Sequence, residues 1–239
     1  MKYLDLTFAD PTENLACDDA LLSWFEARQT GDSLLRIWQA ESHFVVLGHS
    51  NKVDAEIHRS GCVAAGIPVL RRISGGGAVV QGPGCLNYSL ILNTELVSLR
   101  SVGESFHHVL RRHQDVVEKL GRAEVHIEGI SDLTIAGRKF SGNAQYRKRV
   151  YVLIHGTFLL NFDLPLIDRC LQMPARQPEY RRNRPHGEFI ANLGIDGGLI
   201  RAGLIETWGA TQGFTDVPWA AIRELAQAQY RSSDWLEKF

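Results

Sequence analysis

Two short stretches set cationic side chains among glycines, a combination suited to holding a phosphate or a carbonyl oxygen. The first is Arg71-Arg72-Ile73-Ser74-Gly75-Gly76-Gly77-Ala78-Val79. Three consecutive glycines cost backbone entropy, which makes sense where φ must be positive or where a ligand approaches the main chain. Their N–H groups can line a phosphate or a carboxylate. Arg71 and Arg72 can add charge-assisted bonds to the same group. The same residues would also make a glycine-rich hairpin with solvated arginines. The second stretch is Gly137-Arg138-Lys139-Phe140-Ser141-Gly142-Asn143-Ala144-Gln145. Lys139 is a compact point charge able to meet a phosphate or a polarised carbonyl. On an edge strand it would only discourage aggregation. The Walker A pattern is absent, because Asn143 stands where the P-loop lysine would be.

Three further groups accompany these. Asp132-Leu133 lies just upstream of Lys139. An acid there could hold Mg2+, a ribose or an adenine group, or simply lead a strand out of a turn. His155-Gly156-Thr157 interrupts an apolar run, as satisfied core groups or as groups facing a pocket. Residues 176–186 carry Arg176, Arg181, Arg182 and Arg184 against one glutamate. Such a loop is either solvated or a docking surface for an acidic partner or an anionic ligand. The four cysteines, at 17, 62, 85 and 170, make no C-x-x-C pair, so reduced and buried thiols are expected. The histidines show no metal spacing, and no protein-only metal site is expected.

The elements that must position these residues are partly legible. Asp10-Pro11-Thr12-Glu13 reads as an N-cap, a proline at N1 and an acid at N3. Cys17, Leu21, Trp24 and Phe25 give the following helix one apolar stripe. Short apolar runs predict strands over 34–38, 44–47, 68–72 and 86–92, then over 124–127, 132–135, 140–144 and 150–162. Helices are predicted over 52–60, 105–120, 164–171 and 217–230, with a charged loop over 173–187. Helices flank a strand-rich middle without βαβ alternation. This predicts an α+β fold on a mixed, largely antiparallel sheet, as a single domain over residues 1–239.

Composition narrows the function. Twenty-six basic and 27 acidic residues leave a net charge of −1, which argues against general nucleic-acid coating. No apolar run reaches the ~18 residues of a membrane span, and the N-terminus lacks a signal-peptide core. A cytoplasmic protein without nucleic-acid or membrane partners is expected.

In chain order, Arg71 to Val79, Asn87-Tyr88-Ser89, Asp132-Leu133, Gly137 to Ala144 and His155-Gly156-Thr157 resemble the lipoate–protein ligase A family, within the biotin/lipoate ligase and octanoyltransferase superfamily. Asn14-Leu15-Ala16, Asp18-Asp19, Trp38 and Val45-Val46-Leu47-Gly48 extend the resemblance over about residues 1–195. The resemblance implies a catalytic domain like those of class II aminoacyl-tRNA synthetases and biotin ligases. It implies that Lys139 sits on the acyl carbonyl or the phosphate. Arg72, Ser74, Gly75, Gly76, Gly77 and Ala78 would border the acyl or acyl-adenylate group. Asn87, Gly142, Ala144, Gly156 and Thr157 would belong to the same binding set. Trp38 and His155 would flank an acyl tunnel, and Arg71 and Asp132 would lie toward the nucleotide and its Mg2+.

The implied substrates are ATP, Mg2+ and lipoate or octanoate. The implied acceptors are apo lipoyl domains of 2-oxoacid dehydrogenases or the glycine cleavage H protein, with Arg176, Arg181, Arg182 and Arg184 steering their docking. About 45 residues follow the family core, so an accessory ligase domain is expected to come from a separate subunit if it is needed. Two other activities stay open. One is an octanoyl or lipoyl transferase with a cysteine acyl-enzyme. The other is a non-catalytic module that binds lipoate or an adenylate. Where many ligases of the family carry histidine and Asp-Leu-Gly-Asn after the glycines, this chain has Gln81-Gly82-Pro83-Gly84-Cys85.

Overall fold

Eleven strands appear in a computed structural model of the chain, which describes every residue except 98, 100 and 122. They are β1 (Lys2–Asp5), β2 (Leu34–Trp38), β3 (Phe44–Leu47), β4 (Val69–Arg71), β5 (Val79–Gln81), β6 (Cys85–Asn93), β7 (Val125–Glu128), β8 (Asp132–Ile135), β9 (Arg138–Arg147), β10 (Tyr151–Leu159) and β11 (Gln212–Gly213). Eight of them pair in the order β11-β1-β2-β6-β10-β9-β8-β7, and three in the order β4-β3-β5. From β2 to β7 every pairing is antiparallel; β1 runs parallel to both its neighbours. The expected α+β class with a mixed, largely antiparallel sheet is what forms.

The helices are α1 (Pro11–Arg28), α2 (Val53–Glu56), α3 (Arg59–Ala64), α4 (Thr94–Val97), α5 (Val102–Gly121), α6 (Pro165–Cys170), α7 (His186–Phe189), α8 (Gly197–Trp208), α9 (Trp219–Leu225) and α10 (Ser233–Leu236). The Asp10 cap is realised: its Oδ1 accepts from Thr12 N at 2.8 Å. Helix α1 buries Leu21, Leu22 and Phe25 against Leu34, Ile91 and Leu153 on one face of the large sheet. On the other face, Val109 and Leu110 of α5 and Leu204 of α8 pack against Leu35, Leu90 and Ile154. These two groups are the odd-and-even halves of the same strands, as strand alternation requires.

The structure departs from expectation in two places that matter for the site. The glycine motif is not a hairpin: β3 lies between β4 and β5, and Arg71 and Arg72 are buried. The helix expected over 52–60 is two helices, because Ile57 turns extended and bridges Leu171.

Close packing of the central strands depends on Gly156. A Cβ there would lie 1.7 Å from Asn143 Oδ1 and 2.9 Å from Tyr88 Cε1. Tyr88 Oη donates to Asn143 Oδ1 at 2.6 Å, and Asn143 Nδ2 donates to Ser131 O at 2.7 Å, so these atoms are not free to give way. Gly156→Ala should therefore destabilise the fold by about 2 kcal/mol. Urea denaturation measures this, and an unchanged midpoint would contradict the packing.

Candidate active site

Strand register lines up the residues singled out by the sequence. Trp38 pairs with Asn87, Asn87 with Thr157, Thr157 with Gly142 and Gly142 with Asp132. Two residues along each strand, on the same face, the next row is Arg36, Ser89, His155 and Ala144. The row beyond that, Leu34, Ile91 and Leu153, belongs to the core beneath α1. Along β2, β6 and β10 this face thus passes from apolar core to a polar floor.

Lys139 reaches that floor through an irregularity. Asp132 pairs with Gly142 and Leu133 with Ser141, but Thr134 pairs with Lys139, so Phe140 is one extra residue in β9. Such a bulge re-aims side chains. It places Lys139 on the face of Asp132 and Gly142, and Lys139 Nζ lies 2.8 Å from Asp132 Oδ1. Gly142 makes room for it, since a Cβ there would meet Lys139 Cε and Nζ at 2.6 Å. Both strands are interior to the sheet, so the edge-lysine reading falls away.

The glycine motif overhangs this floor. Arg72 is its organiser: its guanidinium donates to Ser74 Oγ at 3.0 Å, Gly75 O at 2.6 Å and Gly77 O at 3.0 Å. Burial pushes its pKa down to about 10, which leaves it cationic at neutral pH. Ser74 Oγ also lies 2.6 Å from His155 Nε2, joining the overhang to the floor. Gly76 takes φ +92°, and a Cβ on it would press on Arg72. At Gly75 and Gly77, by contrast, nothing lies within 4 Å of an added Cβ. Gly77 lines both chambers of the cleft beneath the motif, where its open main chain leaves a ligand room for close approach, whereas Gly75 lines neither. The Ala78 N–H is already taken by Glu56 Oε2 at 3.3 Å.

Between overhang and floor runs a cleft with two chambers, of about 180 and about 220 Å³. The inner chamber has Leu15, Trp38, Val46, Ala144 and His155 on its walls. The outer one is walled by Glu56, Leu171, Arg176, Arg181 and Phe189. Lys139, Asp132, Gly142, Thr157 and Ala78 border both, at the junction. Gln81 borders both as well. Its Nε2 donates to Thr157 Oγ1 at 2.6 Å, and Thr157 Oγ1 donates to Asn87 Oδ1 at 2.6 Å. Trp38 Nε1, Gln81 Oε1 and Asn87 Nδ2 are buried without partners. Orphaned polar atoms at one place suit a hydrogen-bonding ligand or ordered water.

Several expected residues lie elsewhere. Arg71 turns away from the cleft and donates to the carbonyls of Gly48, His49, Asn51, Trp235 and Leu236, so it anchors the C-terminal segment instead of facing a nucleotide. Arg181 is buried, which removes it from an exposed docking surface. Arg184 is fastened to Gly137 O at 3.0 Å, while Arg176 and Arg182 are exposed. Gln81, Glu56 and Tyr180 escaped the sequence reading as site residues. Only Gln81 had a signal, its place just past the glycine motif. All four thiols are buried and free, and none lines the cleft. Among the described residues no cluster of three or more His, Cys, Asp or Glu could hold a metal, and no helix is long and apolar enough to cross a membrane.

Residues 10–194 match the lipoyl protein ligase A/B catalytic domain, and the chain belongs to that family. It is an enzyme of the lipoate ligase and octanoyltransferase class. Lipoate–protein ligase 1 of Staphylococcus aureus is 26% identical to it over 249 residues, 98% of this chain and 73% of that protein. Octanoyltransferase LipM of Oceanobacillus iheyensis is 23% identical over 261 residues, 97% of this chain and 95% of that protein. Among solved structures, the bipartite lipoate protein ligase of Thermoplasma acidophilum, described with its E2 lipoyl domain, superposes with a TM-score of 0.84 at 23% identity, covering 99% of this chain and 95% of that one. A lipoate–protein ligase A bound with ATP gives 0.78 at 21% identity, covering 99% and 98%. These structural likenesses show a shared fold.

The buried imidazole gives the site a measurable pH signature. Burial pushes His155 down from 6.5 to about 4. As pH falls through this window the unfolded chain takes up a proton that the folded chain refuses, so stability is lost. His113, pushed down to about 3, adds the same trend. The fall in urea midpoint between about pH 7 and about pH 5 should be smaller in His155→Asn than in the parent. An equal fall would contradict the assignment.

Proposed function

We propose that this chain is a lipoate–protein ligase that joins lipoate or octanoate to an acceptor lysine through an acyl-adenylate. A carboxylate is a poor acyl donor. Its oxygen first attacks the α-phosphorus of ATP, and pyrophosphate leaves with the electrons of the broken P–O bond. The acceptor lysine amine then attacks the acyl carbon, AMP leaves, and the amine's proton passes to solvent. Lys139 at the junction suits both steps, first beside the phosphate and then beside the developing oxyanion. The inner chamber, with Leu15, Trp38, Val46 and Ala144 on its walls, suits an acyl chain. The open main chain at Gly77 suits the adenylate. Mg2+ would arrive as part of the nucleotide substrate, with Asp132 and Glu56 the acids on the outer chamber's walls.

The observation that carries this reading is a lysine–aspartate pair at the junction with no thiol on the cleft wall. An acyl-enzyme thiol works as a thiolate and needs a lowered pKa. Here burial pushes Cys17 and Cys85 up to about 12 and Cys170 up to about 11, and it raises Cys62. The transferase remains the second reading, supported by similarity to LipM along nearly all of that protein's length. Acceptors would be apo lipoyl domains or the glycine cleavage H protein, approached by way of the exposed Arg176 and Arg182. The archaeal bipartite ligase supports an accessory subunit as a third component.

Two parallel reactions on an apo lipoyl domain, read by intact mass, test the proposal. One contains lipoate or octanoate with ATP and Mg2+; the other contains an octanoyl carrier thioester without nucleotide. Acylation in the first alone is expected, with Lys139→Ala reducing its rate at least about 100-fold. Acylation in the second alone would establish the transferase instead.

A further inference from the structure

The arginine-rich loop has an ordered job that its composition does not suggest. Gln177 Nε2 donates to Asn183 Oδ1 at 2.7 Å, and Asn183 N donates to Gln177 Oε1 at 3.1 Å, which closes the loop into an arch. Within it Glu179–Arg181 form a 3-10 turn, ended by Arg182 and Asn183 at φ 51° and 59°. Two consecutive non-glycine residues in the left-handed region mark a conformation imposed by its surroundings. Arg181 and Arg184 lie over the Phe189 ring at 4.6 and 5.3 Å. Arg184 donates to Tyr180 O and Gly137 O, each at 3.0 Å. The arginines thus fasten the arch to the turn that precedes Lys139.

What the arch delivers to the junction is Tyr180. Its ring packs on Phe189 at 5.2 Å and covers Gly129, where an added Cβ would lie 3.7 Å from Cε1. Its hydroxyl donates to Asp132 Oδ2 at 2.7 Å, while Asp132 Oδ1 takes Lys139 Nζ at 2.8 Å. One carboxylate is therefore gripped at both oxygens by groups from separate segments. A carboxylate held at one oxygen can still rotate about its terminal torsion, which is broad. A second bond from outside the strand removes that freedom.

We propose that Tyr180 is a positioning residue of the acyl-transfer site, holding the Asp132 carboxylate so that it holds Lys139 over Gly142. Its effect on Lys139 rests on the geometry alone; its effect on turnover rests on the ligase reading. Tyr180→Phe keeps the ring against Phe189 and removes only the hydroxyl. Asp132→Asn and the double variant complete a cycle. The first readout is the rate at which trace acetic anhydride labels Lys139, followed by peptide mass in folded protein. Tyr180→Phe should raise labelling about threefold, Asp132→Asn at least as much, and the double variant no more than Asp132→Asn alone. The second readout is acylation of an apo lipoyl domain. There kcat should fall about tenfold in Tyr180→Phe, with KM for the acceptor unchanged and no added loss in the Asp132→Asn background. Unchanged labelling in Tyr180→Phe, or effects that simply add in the double variant, would overturn the proposal. If the parent protein acylates no acceptor, either alone or with an added accessory subunit, the ligase reading fails, and the labelling cycle still decides the role of Tyr180.

Discussion

Regular strand alternation would put Lys139 on the opposite face of the sheet from Gly142 and its partner Asp132, with the core. The extra residue Phe140 in β9 reverses that parity. Phe140 keeps its ring in the core, 1% exposed, while Lys139 comes to lie across the bare backbone of Gly142 and against Asp132. The rest of the site depends on this placement. The glycine overhang, the two chambers and the gripped carboxylate all converge on the one cation that the bulge delivers to the junction.

The floor around that cation is held by buried polar groups whose bonds are largely satisfied within the fold. Arg36 is fully buried and donates to Asp18 Oδ1 at 2.7 Å and Asn14 Oδ1 at 2.7 Å, and Ser89 donates to Asp18 Oδ2 at 2.7 Å. A buried pair of this kind adds little net stability, because desolvation offsets the attraction, but breaking it leaves an unpaired charge inside. It ties α1 to β2 and β6 at the point where the apolar face becomes polar. Arg72 does the same for the overhang. Rigid support of this type lets a few groups at the junction hold their geometry.

Much of this was legible in the chain. The Asp10 cap and the strands of the central sheet are encoded by local spacing, whereas the glycine, lysine and histidine motifs stood out through their resemblance to a family, and the fold brings them to one cleft. What stayed hidden depends on register or tertiary contact. The bulge at Phe140 has no signature in a run of small and polar residues. Arg71 and Arg72 are neighbours of the same type, yet one is claimed by carbonyls of the C-terminal segment and the other by the glycine loop. The arginines of residues 176–186 looked like a charged rim; Arg181 and Arg184 are instead the fastenings of an arch. Tyr180, 48 residues from Asp132, reaches it only because the arch folds over Gly129.

The central claim is that acyl groups are activated in this cleft without a bond to the enzyme. Incubating the chain with octanoate, ATP and Mg2+ in the absence of acceptor, then measuring its mass under denaturing conditions, tests this directly. The account predicts an unmodified chain alongside released pyrophosphate. An octanoyl adduct mapping to Cys17, Cys62, Cys85 or Cys170 would contradict it.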